Sequence, residues 1–275
     1  MINYRCSCAA TLVLSVMGAT CGGSPSVAQT TPSVTPAAPQ AWADEFDGAA
    51  NSLPDPAKWT FDLGNNNGWG NNELQTYTNV PQNVRRDGAG HLIIHVERAG
   101  SGFTSARIKT QGLFAATYGR IESRIRIPSG QGIWPAFWML GSSITSTGWP
   151  RCGEIDIMEN VGREPSVNHG SIHGPGYSGG NAISGLFTLP GPARLADDFH
   201  VFAIQWAAGT ITFSVDGAAY KTMTPGLLPA GASWVFDSPF FLILNVAVGG
   251  NFPGPPDATS QFPQEMVVDY VRVSG

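Results

Sequence analysis

Three carboxylic acids fall within six residues of one segment that otherwise consists of residues favouring β-strands: Glu154, Asp156 and Glu159. Side chains alternate between the two faces of a strand, so Glu154 and Asp156 share a face while Glu159 lies on the opposite one. One extra residue inserted as a β-bulge, for which Met158 is the natural candidate, would return Glu159 to the face of the other two acids. The spacing therefore predicts a row of three acids on one face of a sheet.

The charge of such a row determines the chemistry that it could perform. Closely packed carboxylates disfavour joint ionisation, so at least one of the acids is expected to hold its proton to a higher pH than a free carboxyl group does. Glycoside hydrolysis requires two carboxyl groups with separated pKa values and no other cofactor: one attacks the anomeric carbon and the other protonates the leaving oxygen. An exposed acidic strand and a cation site built from the same oxygens are the alternatives that the spacing leaves open.

Tryptophans precede the acids. Trp134 and Trp138 lie four residues apart in an extended segment, which places both indoles on one face, and Trp149 follows shortly before the acids. The flat face of an indole suits the apolar face of a sugar ring, although any single Trp also serves well as a core residue. Together with the acids, the three tryptophans favour carbohydrate binding.

The elements that must position these residues have the sequence pattern of strands joined by turns. Segments 91–97, 118–127 and 210–215 alternate apolar and polar residues, as half-buried strands do, and a hairpin-turn pair, Asp-Gly, follows at 216–217. Segment 240–247 is apolar on both faces apart from Asn245, which predicts an interior strand. Helical periodicity is nearly absent, so the sequence predicts an all-β fold of two stacked antiparallel sheets in one domain, residues 41–275.

Four segments together resemble a known family: WPAFWMLG at residues 134–141, GEIDIMEN at 153–160, GGNFPG at 249–254 and VDYVRV at 268–273. They are similar to glycoside hydrolase family 16, and most similar to its bacterial laminarinase-like endo-β-1,3-glucanases, over nearly all of residues 42–275. The resemblance implies a β-sandwich jelly roll of the concanavalin A-like kind with a concave substrate cleft. It also implies that Glu154 is the nucleophile, Glu159 the general acid/base and Asp156 the residue that tunes their protonation.

The resemblance extends to candidate substrate-binding residues. The polar, glycine-rich loop at residues 64–73 is similar to the laminarinase loop that lines the non-reducing side of the cleft, which implies roles for Asn65, Trp69 and Asn71. The set is completed by Arg107 and His173, which are similar to positions where the family contacts the sugar near the acids, and by Trp134, Trp138, Trp149 and Asn245.

A metal site is predicted where the two ends of the domain meet. If the first and last strands pair, Glu45 would approach Asp269, and carboxylates with a backbone carbonyl suit a hard cation such as Ca²⁺. Family members often hold a structural calcium there, which by resemblance would use Glu45, the region of Asp269 and a glycine carbonyl near Gly90. Surface acids without a metal are the alternative. The ion would stabilise the fold, and no cofactor is expected for catalysis.

The first 40 residues differ in composition from the rest. They contain no Asp, Glu or Lys and a single Arg, Arg5, which precedes the apolar run at residues 9–19, as in an export signal. We expect a signal peptide over residues 1–28; the alternative is lipid attachment at Cys21, after a lipoprotein signal that ends before it. Residues 29–40, rich in Ser, Thr, Pro and Ala, are predicted to be a linker.

Composition narrows the range of partners. The chain carries 15 basic and 20 acidic side chains with no basic stripe, which argues against a nucleic-acid partner. The run at 9–19 is short for a membrane span, so no transmembrane helix is expected in the mature protein. Cys152 is the only cysteine beyond Cys21, which excludes a disulfide framework in the domain. We expect a secreted monomer whose partner is a β-glucan polysaccharide.

Two classes of function remain open from the sequence. One is an endo-acting, retaining hydrolase of laminarin-type β-1,3-glucan, possible also on mixed-linkage β-1,3-1,4-glucan; the other is a non-hydrolytic β-glucan-binding lectin of the same fold. The presence of both Glu154 and Glu159 favours the enzyme. Within the family, agarose and carrageenan are alternative substrates, but the extra Met158, the glycine-rich loop at residues 64–73, here called the Asn-rich loop, and the GGNFPG turn favour laminarin.

Overall fold

The computed structural model describes residues 40–275, so the predicted signal peptide and the linker up to residue 39 lie outside the described residues. The described chain is almost entirely β-structure, as predicted, with one helical turn, α1 (Ile144–Thr147), and three 3₁₀ segments (Asn66–Gly68, Gly179–Asn181 and Pro225–Leu227). In chain order the strands are β1 (Gln40–Asp44), β2 (Thr60–Asp62), β3 (Gln75–Tyr77), β4 (Val84–Arg86), β5 (Leu92–Ala99), β6 (Gly102–Ser105), β7 (Arg107–Lys109), β8 (Gly119–Arg126), β9 (Ile133–Gly141), β10 (Glu154–Glu159), β11 (Val167–His173), β12 (Ile183–Thr188), β13 (His200–Ala207), β14 (Thr210–Val215), β15 (Ala218–Met223), β16 (Phe240–Val248) and β17 (Gln264–Ser274).

These strands form two sheets. The sheet that carries the acids, here called the site sheet, has the order β12-β11-β10-β9-β16-β7-β2. The outer sheet has the order β15-β14-β13-β8-β17-β5-β6-β3, with β1 also paired to β17 and β4 to β5. Strand β3 runs parallel to β6, so the prediction of purely antiparallel sheets is wrong at that edge. Because β16 lies between β9 and β7, residues far apart in the sequence become neighbours on the site sheet.

The main core is one cluster of buried side chains drawn from both sheets. The outer sheet contributes alternate residues of the strands that the sequence predicted: Leu92, Ile94 and Val96 on β5, Ile121 and Ile125 on β8, and Ile211, Phe213 and Val215 on β14. From the site sheet come Phe137, Met139, Ile155, Ile157 and Leu244, among others. Burying one such side chain contributes roughly 1.5–3 kcal/mol, so the cluster fixes which face of each site-sheet strand points away from the core.

Strand β16 is apolar on both faces for two different reasons. Leu244 belongs to the main core, whereas Phe241 and Ile243 belong to a second, smaller cluster on the opposite face together with Leu140 and Cys152. The predicted interior position of this strand is therefore confirmed. Burial of the Cys152 thiol raises its pKa to about 11, which makes it a packing residue rather than a nucleophile.

The predicted hairpin between β14 and β15 is present. Asp216 and Gly217 have φ angles of 50° and 79°, the left-handed values that a tight two-residue hairpin turn requires and that Gly adopts without strain. Within residues 40–275, none of the helices has the length and apolar character needed to cross a membrane.

The first and last strands pair, as the predicted metal site requires. The Glu45 carboxylate, however, accepts two hydrogen bonds from Arg272, at 2.8 and 2.8 Å, and Asp269 accepts one from Arg124 at 2.7 Å. Gly90 lies beside the backbone carbonyl of Glu45. Both predicted carboxylate ligands are thus engaged by arginines, which leaves backbone oxygens as the readily available donors, and the calcium site stays a prediction.

Candidate active site

The three acids lie on β10, and a bulge in this strand puts them on one face. Asp156 pairs with Trp138 of β9 and Ser171 of β11, and Glu159 pairs with Ala136 and His169 of the same strands. Three steps along β10 thus match two steps along each neighbour, which confirms the predicted β-bulge. The pairing with β9 leaves Ile157 without a partner and places Met158 opposite Phe137, so the prediction that Met158 is the inserted residue is wrong by one position.

The bulge is held from the core side by Asn168, a residue that sequence reasoning missed. This fully buried side chain donates hydrogen bonds from Nδ2 to the carbonyl of Ile157, at 3.3 Å, and to the hydroxyl of Tyr220, at 3.1 Å. A bulge removes a carbonyl from the regular ladder, and a buried carbonyl without a donor is costly. Asn168 supplies that donor, but segment 167–173 lacks the alternation that would have identified its inward face.

Strand register brings the site residues into rows that cross the sheet. Residues paired across an antiparallel ladder point to the same face, so the pairing of Glu159 with Ala136 extends through Asn245 and Arg107 to Asp62. A second row runs from Asp156 through Trp138 to Ile243. Five strands from widely separated parts of the chain therefore contribute to one surface.

Two of the predicted tryptophans hold the glutamates. Trp149 donates from Nε1 to Glu154 Oε2, and Trp134 donates from Nε1 to Glu159 Oε1, each at 2.9 Å. An indole N–H only donates, so each contact favours an oxygen with a free lone pair and fixes the rotamer of the carboxyl group. Trp149 is 48 % exposed, so the residue remains accessible from the solvent.

His173 lies opposite Glu154 on β11, and its tautomer follows from its contacts. The ring Nδ1 accepts a hydrogen bond of 3.0 Å from the backbone N–H of Gly179, so the proton of the neutral ring is on Nε2. Nε2 lies 2.9 Å from Asp156 Oδ2 and 3.7 Å from Glu154 Oε1. The shorter contact is off the line of a hydrogen bond, which leaves the buried Oδ2 of Asp156 without an aligned donor.

Burial raises the pKa of all three acids. Loss of hydration is the largest cause: it raises the pKa of Glu154 to about 8 and that of Asp156 to about 8, and it raises the pKa of Glu159 well above its usual range. The charge of Asp156 further raises the pKa of both glutamates. The prediction that at least one acid retains its proton beyond the normal range is confirmed, and a site with protonated carboxyl groups near neutral pH can act as an acid.

The Asn-rich loop reaches the site face through an arginine. Arg107 stacks on Trp69, with its Cζ atom 4.9 Å from the ring centroid, and on Trp138, at 4.6 Å. Asp62 lies 2.9 Å from Arg107 Nε and holds the guanidinium in this position. The structure thus brings the predicted residues Trp69, Arg107 and Trp138 together at the side of the acids where β16 and β7 lie.

Other predicted residues serve the local structure. The Asn65 side chain accepts from Gly68 N at 3.0 Å and donates to two backbone carbonyls, those of Glu73 and Gln75, so both of its polar ends hold the loop. Asn71 donates to the Glu73 carboxylate at 3.2 Å. Asn245 is buried and bonds to Trp138 and Tyr77. Whether these groups also meet a substrate stays a prediction.

On the other side of the acids lies a group of residues whose contacts the sequence analysis did not predict, although one of them belongs to the GGNFPG turn. Phe252, in the turn after β16, packs edge-on against Trp134 and His169, with ring centroids 5.5 and 5.1 Å apart. His169 Nε2 lies 2.8 Å from Glu164 Oε2. His169 lies beside Glu159 because of the register in which β10 and β11 pair, and the sequence alone does not show that register.

One cluster in the described part of the chain has the side chains to bind a metal ion: Glu154, Asp156 and His173, with ligand atoms within 4.8 Å of one another. A metal would need the lone pair of His173 Nε2, yet the hydrogen bond from Gly179 to Nδ1 keeps the proton on Nε2. The cluster therefore suits proton chemistry better than metal binding, and the cation site considered from the sequence is disfavoured.

Two glutamates on one face, each held by an indole, with a third buried acid between them and further aromatic rings beside them, form the arrangement that glycoside hydrolysis requires. The chain belongs to glycosyl hydrolases family 16, whose family model matches residues 71–272, so the resemblance predicted from the motifs is confirmed. Membership also confirms the predicted jelly-roll β-sandwich.

Relatives and solved structures agree with this assignment. The chain is 46 % identical over 244 residues to a beta-glucanase of Rhodothermus marinus, covering 84 % of this chain and 83 % of that protein. It is 37 % identical to a glucan endo-1,3-beta-glucosidase of Cryptopygus antarcticus, covering 84 % of this chain and 90 % of the relative. The laminarinase catalytic domain of Thermotoga maritima superposes with a TM-score of 0.80 at 45 % identity, covering 86 % and 98 % of the two chains.

Proposed function

We propose that the protein is an exported endo-hydrolase that cleaves β-1,3-glucan of the laminarin type with retention of anomeric configuration. The bulge in β10 is the main support for a retaining mechanism, because it turns Glu154 and Glu159 toward the same face from adjacent parts of one strand. The substrate part is supported by relatives named as beta-glucanase, glucan endo-1,3-beta-glucosidase and laminarinase.

In the first step, a carboxylate oxygen of Glu154 attacks the anomeric carbon and forms a glycosyl ester. The bond from that carbon to the glycosidic oxygen breaks, and Glu159 gives its proton to the departing oxygen. In the second step, Glu159 takes a proton from water, the water oxygen attacks the anomeric carbon, and the ester bond to Glu154 breaks. The sugar is released with its original configuration because it has been inverted twice.

The electrostatics of the site support these roles. Burial raises the pKa of Glu154 to about 8, and the nearness of His173 and the hydrogen bond from Trp149 oppose that rise, so these two residues favour the charged form that the attack requires. The charge on Glu154 helps to raise the pKa of Glu159, which therefore enters the first step protonated. Formation of the ester removes that charge, so the pKa of Glu159 falls when it must act as a base. Asp156, between the two, raises the pKa values of both glutamates and tunes this exchange.

The test is a product profile of the purified protein on laminarin, lichenan and agarose. We expect a series of short oligosaccharides from laminarin, lesser release from the mixed-linkage glucan lichenan and none from agarose. Binding of laminarin without any release of reducing ends would instead identify a non-hydrolytic lectin of the same fold and would contradict the proposed function.

Export and calcium belong to the same proposal. Residues 1–28 have the composition of a leader, with Cys21 as a possible lipid attachment point, and a polysaccharide too large to enter a cell requires an enzyme outside it. A Ca²⁺ ion near Glu45, Gly90 and Asp269 would bind chiefly through backbone oxygens, since arginines already bind the two carboxylates. It would tie the first strand to the last and take no part in the reaction.

A further inference from the structure

The site sheet borders a fourth buried carboxyl group that the reaction described above does not use. Glu73 is 7 % exposed and lies at the end of the Asn-rich loop, just before β3. Its Oε2 accepts a hydrogen bond of 2.6 Å from Gln75 and lies 3.4 Å from the hydroxyl of Tyr77, and its Oε1 accepts one of 3.2 Å from Asn71. Burying a carboxyl group costs free energy, and the three hydrogen-bond donors offset that cost.

These contacts continue to the face that carries the acids. The indole N–H of Trp138 donates to Asn245 Oδ1 at 2.7 Å, and Asn245 Nδ2 donates to the hydroxyl of Tyr77 at 3.1 Å. Because an indole can only donate, the amide oxygen of Asn245 must face Trp138 and its NH₂ group must face Tyr77. The hydroxyl hydrogen of Tyr77 is then free for Glu73. All the donors point in one direction, from Trp138 to Glu73.

Trp138 is the ring whose orientation this chain controls. It pairs with Asp156 across the ladder, and its other side meets the guanidinium of Arg107 at 4.6 Å. The torsion that turns an indole about its Cβ–Cγ bond has broad energy wells, so packing alone defines it loosely. The hydrogen bond to Asn245 selects one setting, and that setting determines whether the ring face is presented to a sugar beside Glu154.

We propose that Glu73 is a positioning residue that orients Trp138 through Tyr77 and Asn245. The proposal deepens the proposed function, on which it rests, because it explains how the sugar-binding face is set from a loop on another part of the chain. Glu73 touches neither the sugar nor the acids. Its carboxylate fixes the direction of the hydrogen bonds, and its contact with Asn71 fixes the loop on the same side.

The variant that cuts this chain with least disturbance is Tyr77→Phe, which removes one hydroxyl. We expect KM on laminarin to rise about tenfold, the equivalent of about 1.4 kcal/mol, with kcat within about threefold of the parent value. Glu73→Ala should give a similar rise, and Glu73→Gln should recover much of it because the amide keeps an acceptor for Tyr77. The double variant Tyr77→Phe with Glu73→Ala should be no worse than Glu73→Ala alone, because the two residues act in one chain.

Ser123→Ala is the matched control. It removes a fully buried hydroxyl that donates at 2.7 Å to the carbonyl of Tyr270 in the outer sheet, whereas the acids lie on the site sheet. We expect a comparable loss of thermal stability and an unchanged KM. If Tyr77→Phe behaves like Ser123→Ala, losing stability with KM unchanged, Glu73 is structural only and the proposal is wrong.

Two further results separate this proposal from the proposed function. A fall in kcat at constant KM in Tyr77→Phe would mean that the chain acts on the acids rather than on Trp138, which also overturns the proposal. If the parent protein binds laminarin without hydrolysing it, the proposed function fails, and the dissociation constants of the same variants then provide the test. A tenfold weaker binding by Tyr77→Phe would still support the role of Glu73, and equal binding would contradict it.

Discussion

Among single residues, N–H groups that can only donate hydrogen bonds orient the two glutamates and His173. The indoles of Trp149 and Trp134 hold Glu154 and Glu159, and the backbone of Gly179 fixes the tautomer of His173. Each partner removes one way in which a carboxyl group or ring could turn away from the substrate. Burial raises the pKa values of the acids, so keeping them charged in the folded state costs free energy.

Glu154→Gln should reduce kcat on laminarin by at least about a thousandfold while leaving the fold intact, because the amide keeps the shape but cannot attack the anomeric carbon. Binding of laminarin should persist in affinity electrophoresis. Glu122→Gln, on the outer sheet, is the matched control and should keep full activity. Activity above a few per cent of the parent value in Glu154→Gln would remove this residue from the role of nucleophile.

Asp156→Asn should make the protein more stable in alkaline solution. The pKa of Asp156 is about 8 in the folded state against a usual value near 3.8, so the folded state binds more protons than the unfolded one between these values. Stability contributed by this group therefore falls as pH rises from about 4 to 8. We expect Tm at pH 9 to rise by roughly 5 °C in the variant and to match the parent at pH 3.5. A gap independent of pH would show that the buried charge is not the cause.

At the scale of elements, alternation and register differ in what they reveal. The pattern of residues 153–160 predicted both the bulge and the common face of the acids, because local sequence determines which side chains share a face. It could not show that Asn168 holds the bulge or that Asn245 lies beside Arg107, because those contacts depend on how distant strands pair. For the same reason, the local sequence does not distinguish Ile157 from Met158 as the inserted residue. The local sequence pattern also does not predict the contacts of Glu73 and Phe252.

Deletion of Met158 tests the bulge itself. The remaining segment, Glu-Ile-Asp-Ile-Glu, alternates strictly, so its three acids share one face of a regular strand and no bulge is needed. We expect the variant to fold and to keep hydrolysing laminarin, with a Tm lower by roughly 5 °C in differential scanning calorimetry because a buried Met side chain is lost. Complete loss of hydrolysis in a folded deletion variant would mean that strand alternation does not determine the common face of the acids.

At the scale of the whole molecule, the outer sheet and the terminal strands support the surface on which the reaction takes place. The main core joins both sheets, and β1 pairs with β17 at the position where calcium is predicted. The predicted metal site assumed this pairing, and the structure shows it. The sequence could not show that Arg272 and Arg124 bind the carboxylates of Glu45 and Asp269, since ion-pair partners depend on the fold.

Removal of divalent cations tests the predicted calcium. Treatment with EDTA should lower Tm by several degrees, and Ca²⁺ should restore it more effectively than Mg²⁺, because large, flexible sites of backbone and carboxylate oxygens favour the larger ion. The kcat at 25 °C should remain unchanged, since the site is remote from the acids. A Tm that is insensitive to both EDTA and Ca²⁺ would show that arginines, and not a metal ion, neutralise the carboxylates of Glu45 and Asp269.

We propose that the bulge presents Glu154 and Glu159 to one sugar from the same face, close enough that the reaction passes through a glycosyl ester. Proton NMR of a fresh laminarin digest, recorded before mutarotation equilibrates the reducing ends, tests this arrangement. We expect the β-anomer signal to rise first and the α-anomer signal to follow. An α-anomer signal that rises first would mean inversion, with a water between carboxyl group and sugar, and would contradict the arrangement proposed for the two glutamates.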